Sequence, residues 1–365
     1  VVTKNQKKYT VDIAMMIAIR KQILVYVFTI VISLIQTADS HPFFPAPAAA
    51  FGGFGTPMNK KQKKKRKKPS KKNNFQNRQL NTPQDRMNHI KQRIEAADVK
   101  RIAELSLQQQ NDGQIALNIN PNGVAVVDNF LGDSFLKEMR KEAISLMPQM
   151  VPSQSTRWDE ESQSVVPYQK VGVLSTQIEG GADGYKASPR LVEYIVTLTT
   201  HLSHKLNQML PESHQLKGDE QTNKLAVCLG DGSMYDKHID NLGGDNRGEV
   251  GGDRRKLTAL LYLQPSGSHD GQPSYPNESV DDDPRGGYFR AYDVPSKGDV
   301  SSIAPRGDRL LLFWSDSLVH DVSPSFTPNG DADHRWALTI WFIANDSASI
   351  RATDAAVEER HFGLG

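Results

Sequence analysis

Histidine and aspartate stand at a spacing that suits a metal site in the segment Tyr235-Asp-Lys-His-Ile-Asp-Asn241. Side chains of a β-strand alternate between its two faces, so His238 and Asp240 would point to the same side and could bind one ion together. His320, which follows the apolar run DRLLLFWS, is a candidate third ligand. Two histidines and one carboxylate leave further positions open on a metal, as in the non-haem Fe(II) oxygenases. The spacing therefore predicts a metal site that can accept additional ligands.

Arg335, at the start of the apolar run RWALTIWF, adds a second chemical feature. A guanidinium buried in a barrel needs an anionic partner, and a dicarboxylic cosubstrate supplies one in bidentate form. Taken singly, His238 and His320 also fit structural roles, and Arg335 also fits a solvated residue that opens a strand. Because these residues occur together and in this order, we favour a metal site with a neighbouring anion-binding arginine.

The elements that must position these residues change from helical to β-rich along the chain. Thr82-Pro83 predicts the start of an amphipathic helix over 82–110, and apolar spacing predicts further helices at 134–147 and 189–210. Such a pattern predicts an α+β, mainly β fold, with antiparallel strands closed into a sandwich or jelly roll and helices buttressing one side. The predicted strands are 123–130, 170–176, 224–230, 256–264, 286–293, 308–315 and 335–343.

Charge divides the 365-residue chain into unlike parts. Its net charge is +2, but ten of its positive charges lie between Lys60 and Lys72, so the remainder carries −8. A charge block of this kind is typical of a solvated tail, and we predict a disordered Lys-rich linker over 41–81. No nucleic-acid partner is expected for the acidic remainder. The single cysteine, Cys228, excludes an intramolecular disulfide and any cysteine-based metal cluster, so a metal must bind to histidine and carboxylate.

The N-terminal region has the order of a targeting segment. An apolar run at 23–35 follows Arg20 and Lys21, and a translation start at Met15 or Met16 would make the basic region short. We predict a signal peptide or signal anchor over 1–40, hence the endoplasmic reticulum lumen or membrane, with membrane contact only through this segment if it stays uncleaved. A cytoplasmic protein is the alternative if this segment is a gene-model artefact.

Several strings, taken in order, resemble one known family. YDKHIDN, RRKLTALLYLQ, GGYFRAY, DRLLLFWSDSLVHDVSP and HRWALTIWF are similar to the prolyl hydroxylases of the Fe(II)/2-oxoglutarate dioxygenase superfamily, and most similar to the oxygen-sensing type that acts on hypoxia-inducible factor. The resemblance covers about Gly123 to Ala344. It implies a double-stranded β-helix (jelly-roll) core in a dioxygenase domain over 113–365.

Carried over to the matching positions, the resemblance implies an iron site beside a cosubstrate pocket. Fe(II), 2-oxoglutarate and O₂ would be the cofactor and cosubstrates, with ascorbate as the expected reductant. The implied iron ligands are His238, Asp240 and His320. The implied pocket residues are Arg335, which pairs with the distal carboxylate of 2-oxoglutarate, Tyr262 and Thr339, which hydrogen-bond near it, and Trp341, which packs against it.

The implied activity is hydroxylation of prolyl residues in a protein or peptide, with release of succinate and CO₂. One alternative is a secretory-pathway prolyl hydroxylase of the procollagen or cell-wall type, and another is a catalytically weak jelly-roll binding module.

Three features of the sequence depart from the family pattern. Cys228 stands where a cosubstrate-contacting tyrosine is expected, and the segments 242–254 and 326–334 are longer than expected. The mobile substrate-covering loop, expected near 151–167, shows no clear likeness to the family.

Overall fold

The computed structural model describes residues 80–97, 108–109, 115–116, 123–159, 161–162, 164–241, 252–265, 284–292 and 300–350. The predicted targeting segment 1–40, nearly all of the linker 41–81 and most of the 242–254 insertion lie outside these ranges. No helix within the described residues is long and apolar enough to cross a membrane.

Antiparallel strands make up most of the fold. The larger sheet has the order β3-β11-β8-β13-β6-β5-β4, the smaller sheet has the order β10-β9-β12-β7, and β1 pairs with β2 separately. The strands are β1 Gln108–Gln109, β2 Ile115–Ala116, β3 Ala125–Val127, β4 Val151–Asp159, β5 Ser164–Thr176, β6 Leu216–Cys228, β7 Ser233–His238, β8 Arg255–Tyr262, β9 Phe289–Tyr292, β10 Val300–Ile303, β11 Leu310–Trp314, β12 His320–Ser325 and β13 Arg335–Ala344.

Helices cover one side of the larger sheet. A π-helical turn, Leu198–Leu202, joins α4 to α5, so the helix predicted over 189–210 is present in three parts. Single 3₁₀ turns occupy 147–149, 212–214, 330–333 and 347–349. The α-helices are α1 Pro83–Ala96, α2 Asp133–Ser145, α3 Gly181–Ala187, α4 Pro189–Thr197 and α5 Ser203–Asn207.

The first helix begins where the sequence predicts but ends early. The side chain of Thr82 accepts a hydrogen bond from the Asp85 backbone N–H at 3.1 Å, which caps the helix. Ala97 is extended, so α1 ends at Ala96. The predicted end at Gln110 is wrong, because Gln108–Gln109 pairs as a strand with Ile115–Ala116. Helical spacing of apolar residues continued past the point where the backbone leaves the helix.

Strand periodicity gives the larger sheet two apolar faces. On β13, Trp336 and Leu338 join the cluster beneath the helices, which contains Ile90 of α1 and Leu191 of α4. The intervening Ala337 belongs to a second cluster between the two sheets. Alternate residues of one strand therefore serve two different cores. This second face is the one that carries the functional side chains.

All seven predicted strands are present, and their antiparallel pairing confirms the mainly β class. The expected substrate-covering loop near 151–167 is instead the antiparallel pair β4 and β5. β5 also pairs with β6, with Val173 opposite Cys228. The polar sequence of 151–167 does not show the apolar alternation of a strand, so the β4–β5 hairpin had no local signal there, whereas the part of β5 that pairs with β6 lies in the predicted strand 170–176.

Candidate metal centre

The three predicted metal ligands converge at the ends of neighbouring strands. His238 ends β7 and His320 begins β12, and the two residues are paired in register. Their Nε2 atoms lie 3.6 and 3.9 Å from Oδ1 of Asp240. The three donor atoms all lie within 4.8 Å of one another. Asp240 follows the end of β7 rather than lying within it, so the turn after His238 brings it onto the same ion position.

Hydrogen bonds select which atom of each residue faces the centre. Nδ1 of His238 donates to the Asp236 carbonyl at 2.7 Å, and Nδ1 of His320 donates to the Leu318 carbonyl at 3.0 Å. A carbonyl oxygen can only accept, so both Nδ1 atoms carry a proton, and in the neutral imidazoles both Nε2 atoms keep a lone pair. This leaves the two nitrogens ready to bind a cation.

Hydrogen bonds also orient the carboxylate of Asp240. Its Oδ2 accepts hydrogen bonds from Thr258 Oγ1 at 2.7 Å and from Trp341 Nε1 at 2.9 Å. Thr258 is itself within 2.8 Å of the Ser315 hydroxyl. Oδ1 is therefore the carboxylate oxygen that faces the histidines. Partners of this kind fix the direction of a metal ligand and strengthen binding.

Aromatic side chains enclose His320. Its ring stacks on Phe289 with a centroid distance of 5.0 Å and contacts Phe313 at 4.8 Å. Burial, together with the neighbouring His238, lowers the pKa of His320 to about 4. Its imidazole is therefore neutral near pH 7, which is the form that binds metals.

Arg335 lies on the same face of the larger sheet as the metal centre and is 4% exposed. It donates to the Tyr262 hydroxyl at 3.1 Å and to the Gly287 carbonyl at 2.9 Å. Within the described part of the chain, Arg335 forms no ion pair with a carboxylate. A buried cation without a counter-ion is costly, so this position suits an anionic ligand. The Tyr262 oxygen accepts from Arg335, which leaves its proton free to donate to such a ligand.

Gly287 is a pocket residue that the sequence reasoning missed. Its φ is +71°, and a Cβ at this position would lie 2.9 Å from Cδ of Arg335. Glycine is therefore favoured here for two reasons: the backbone is left-handed, and the arginine side chain lies too close to leave room for a Cβ. The string Gly286-Gly287 was the available signal, because paired glycines beside a strand often mark such an approach.

The remaining predicted pocket residues occupy one face but differ in function. Thr339 lies two residues from Ala337, which pairs with Tyr262. Trp341 donates to Asp240 and so acts on a metal ligand rather than lining the arginine pocket.

Cys228, opposite Arg335 on β6, is buried with its sulfur 3.9 Å from Nη1 of the arginine. Thr258, missed from sequence, lies on the same face of β8 as Tyr262, as residues an even number apart do.

Fold and site together define a class. A mainly β protein that holds two imidazole nitrogens and one carboxylate oxygen beside a buried arginine, which forms no ion pair with the described carboxylates, has the arrangement of non-haem metal oxygenases with an anionic cosubstrate. The comparisons agree with this class: residues 224–343 match the model of the 2OG-Fe(II) oxygenase superfamily, and this range contains every ligand and pocket residue named from the sequence.

The chain is also similar to individual proteins of known function. The chain is 26% identical over 270 residues to Egl nine homolog 1 of Homo sapiens, covering 73% of this chain and 54% of the relative. It is 26% identical over 263 residues to the hypoxia-inducible factor prolyl hydroxylase of Caenorhabditis elegans, covering 72% of this chain and 32% of the relative. The chain thus spans about half of the first and a third of the second. These matches confirm the resemblance to hypoxia-factor-type prolyl hydroxylases.

Among solved structures, a prolyl hydroxylase of Trichoplax adhaerens in complex with a peptide fragment of the hypoxia-inducible factor oxygen degradation domain matches with a TM-score of 0.45 and 24% identity. That match covers 71% of this chain and 96% of the other. The superfamily description confirms the predicted Fe(II), 2-oxoglutarate and oxygen. Ascorbate stays a prediction.

Proposed function

We propose that this protein is an Fe(II)- and 2-oxoglutarate-dependent dioxygenase that hydroxylates prolyl residues of a protein or peptide, in the manner of peptidyl-proline 4-hydroxylases. The observation that carries the proposal is the set of donor atoms left free by hydrogen bonding, namely two Nε2 atoms and Oδ1 of Asp240. Two nitrogens and one oxygen suit Fe(II), which prefers imidazole and carboxylate ligands.

The described residues have defined tasks in this activity. His238, Asp240 and His320 would hold the iron, which when bound supplies the oxidation that couples decarboxylation of 2-oxoglutarate to hydroxylation. Arg335 and Tyr262 would bind the far carboxylate of 2-oxoglutarate and fix its orientation.

Other side chains prepare the site in advance. Thr258 and Trp341 hold Asp240 in its ligating direction. Phe289 and Phe313 exclude water around His320. A dry, ordered centre protects a reactive intermediate from side reactions and keeps the ligands in place without reorganisation.

We also propose that the core is a double-stranded β-helix. Its support is the pair of antiparallel sheets that share an apolar cluster, to which Phe289 and Ile303 of the smaller sheet and Leu260 and Phe313 of the larger sheet contribute. The His238–His320 pair lies in the smaller sheet and Arg335 in the larger one. The proposed reaction would therefore take place between the two layers.

The experiment that tests the activity measures 2-oxoglutarate consumption and succinate release by the purified chain with Fe(II), with and without proline-containing peptides. We expect turnover that is lost in His238→Ala and His320→Ala. His204→Ala, at an exposed histidine on α5, is the matched control and should retain it. Absence of both coupled and uncoupled turnover in the parent protein would contradict the enzyme proposal and favour a binding module.

Entry into the secretory pathway is a separate proposal, supported by the order of Arg20, Lys21 and the apolar run 23–35. Expression from Met15 with a fluorescent C-terminal tag tests it. Reticular fluorescence is expected, and diffuse cytoplasmic fluorescence would contradict it.

A further inference from the structure

Arg255, the first residue of β8, contacts the metal ligand Asp240 by two routes. Its Nη2 donates to the Asp240 backbone carbonyl at 2.5 Å. The carbon at the centre of its guanidinium also lies over the Trp341 ring, 5.2 Å from the ring centroid. Trp341 in turn donates to Oδ2 of Asp240 at 2.9 Å. One guanidinium therefore contacts both the backbone of a metal ligand and the side chain that orients its carboxylate.

A β-bulge turns Arg255 toward the metal centre. Trp341 of β13 pairs with Thr258 of β8. Two residues further along β13, Ile343 pairs with Arg255, which is three residues from Thr258. Regular alternation would place residues three apart on opposite faces, but the extra residue of β8 shifts the alternation by one. Arg255 thus shares the face of Thr258 and Trp341, which is the face of the metal centre.

Asp253 fixes the direction of this guanidinium. Nε of Arg255 donates to Oδ1 of Asp253 at 3.0 Å, and Nη2 donates to Oδ2 at 2.6 Å. A two-point pair of this kind restricts the guanidinium to one orientation. The two side chains are 30% and 37% exposed, so the ion pair by itself adds little to stability. Its main effect is to hold the arginine against Asp240 and Trp341.

Backbone contacts join the same two segments. Asn241, which follows Asp240, donates from Nδ2 to the Arg255 carbonyl at 2.8 Å and to the Asp253 carbonyl at 3.2 Å. The segment that carries the metal ligand is therefore attached to the start of β8 by hydrogen bonds given from both sides.

Asp240 depends on such contacts more than the two histidine ligands do. The histidines are placed by the register between β7 and β12, whereas Asp240 lies beyond the end of β7 and outside its paired residues. Thr258 and Trp341 hold its Oδ2, and Arg255 holds its backbone carbonyl. Side-chain contacts therefore do for Asp240 what strand pairing does for the histidines.

We propose that Arg255 is a positioning residue of the metal centre. It fixes the backbone of Asp240 through the carbonyl, and it packs on the Trp341 indole so that Nε1–H stays directed at Oδ2. This inference rests on the proposed function and adds a residue that acts through a metal ligand rather than as one. Partners that fix a ligand typically change metal affinity about 10- to 100-fold.

Mn(II) titration of the metal-free full chain, followed by EPR spectroscopy, tests this role. Arg255→Met should weaken Mn(II) binding about tenfold and change the zero-field splitting of the bound ion, because Asp240 loses its backbone contact and Trp341 loses its cation–π partner. Arg254→Met is the matched control. This neighbouring arginine pairs with Glu220 at 3.1 Å, away from the metal ligands, and both measurements should stay as in the parent.

A double-mutant cycle identifies the route through the indole. Trp341→Phe removes the donor to Oδ2, so Arg255→Met should cause a smaller loss of Mn(II) affinity in that background than in the parent. Asp253→Asn leaves the arginine in place but weakens its orientation, and it should cause a smaller loss than Arg255→Met. Circular dichroism checks that each variant is folded, and Asp253→Asn decides the question if Arg255→Met is not.

Two outcomes overturn the inference. Unchanged Mn(II) affinity and an unchanged EPR spectrum in the folded variants, even with lowered stability, would assign Arg255 to the structure of the sheet end alone. Fully additive losses from Arg255→Met and Trp341→Phe would exclude action through the indole. Because metal binding is measured without turnover, failure of the proposed activity appears separately, as absent succinate release with Fe(II) by a chain that still binds Mn(II).

Discussion

His238 and His320 face each other across the pair β7 and β12, with ring centroids 4.3 Å apart. Each ring is held by the carbonyl of the residue two positions earlier, so both present Nε2 to the same point. Strand register, rather than loop conformation, therefore sets the distance between two of the proposed iron ligands. Sites built on paired strands hold their geometry more precisely than sites on loops.

Substitution of Thr258 tests whether the hydrogen bond to Asp240 matters for metal binding. Thr258→Val removes the donor to Oδ2 and should weaken metal affinity about 10- to 100-fold, because partners of a ligand fix its direction. Titration of the metal-free protein with Mn(II) measures this. Thr258→Ser keeps the hydroxyl and should bind as the parent does. Equal affinity in the valine variant would show that Trp341 alone is sufficient.

Substitution of Tyr262 separates cosubstrate binding from metal binding. Tyr262→Phe removes the hydroxyl next to Arg335 and should raise the KM for 2-oxoglutarate about tenfold, as expected for one lost hydrogen bond to a charged group, while Mn(II) affinity stays unchanged. Tyr194→Phe removes a buried hydroxyl that has no hydrogen-bond partner among the described residues and serves as the control. A shift in metal affinity without a change in KM would contradict the assigned role.

The buried pair of Lys256 and Asp316 should contribute more to stability than an exposed ion pair does. Lys256→Met removes the ammonium group from its buried ion pair with Asp316 and should lower the free energy of unfolding by about 3–5 kcal/mol. Lys141→Met breaks the exposed pair with Glu138 and should cost less than about 1 kcal/mol. Urea unfolding of both variants makes the comparison. Similar losses in the two would count against a special contribution from burial.

Asp308 should make stability depend on pH. Burial raises the pKa of its carboxyl from 3.8 to about 6, although the Leu131 and Gly132 N–H groups donate to it. The folded state therefore holds this proton at pH values where the unfolded state has lost it, so the free energy of unfolding should fall as pH rises from about 4 to about 6.

Asp308→Asn is the matching variant, because asparagine tolerates the φ of +62° found here. Urea unfolding between pH 4 and 7 should show a smaller pH dependence for the variant than for the parent. Identical slopes in both would exclude Asp308 as the source.

Local sequence pattern was sufficient for much of the fold. Short β-rich runs located all seven predicted strands, and the capping sequence Thr82-Pro83 located the start of α1. Helical spacing of apolar residues predicts an end of that helix that is too late, and a loop is predicted near 151–167, where β4 and the start of β5 form a hairpin. Both errors fall where the backbone conformation depends on partners distant in sequence.

For the site, the sequence by itself determined which residues could do the chemistry. Period-two spacing put Arg335, Thr339 and Trp341 on one face, and residue type named His238, Asp240 and His320. Register between distant strands decided the rest: it placed His320 opposite His238, turned Trp341 toward Asp240, and set Cys228 opposite Arg335. Alternation is a local property of one strand, whereas register depends on turns, bulges and packing across the whole sheet, so only the tertiary structure could specify these contacts.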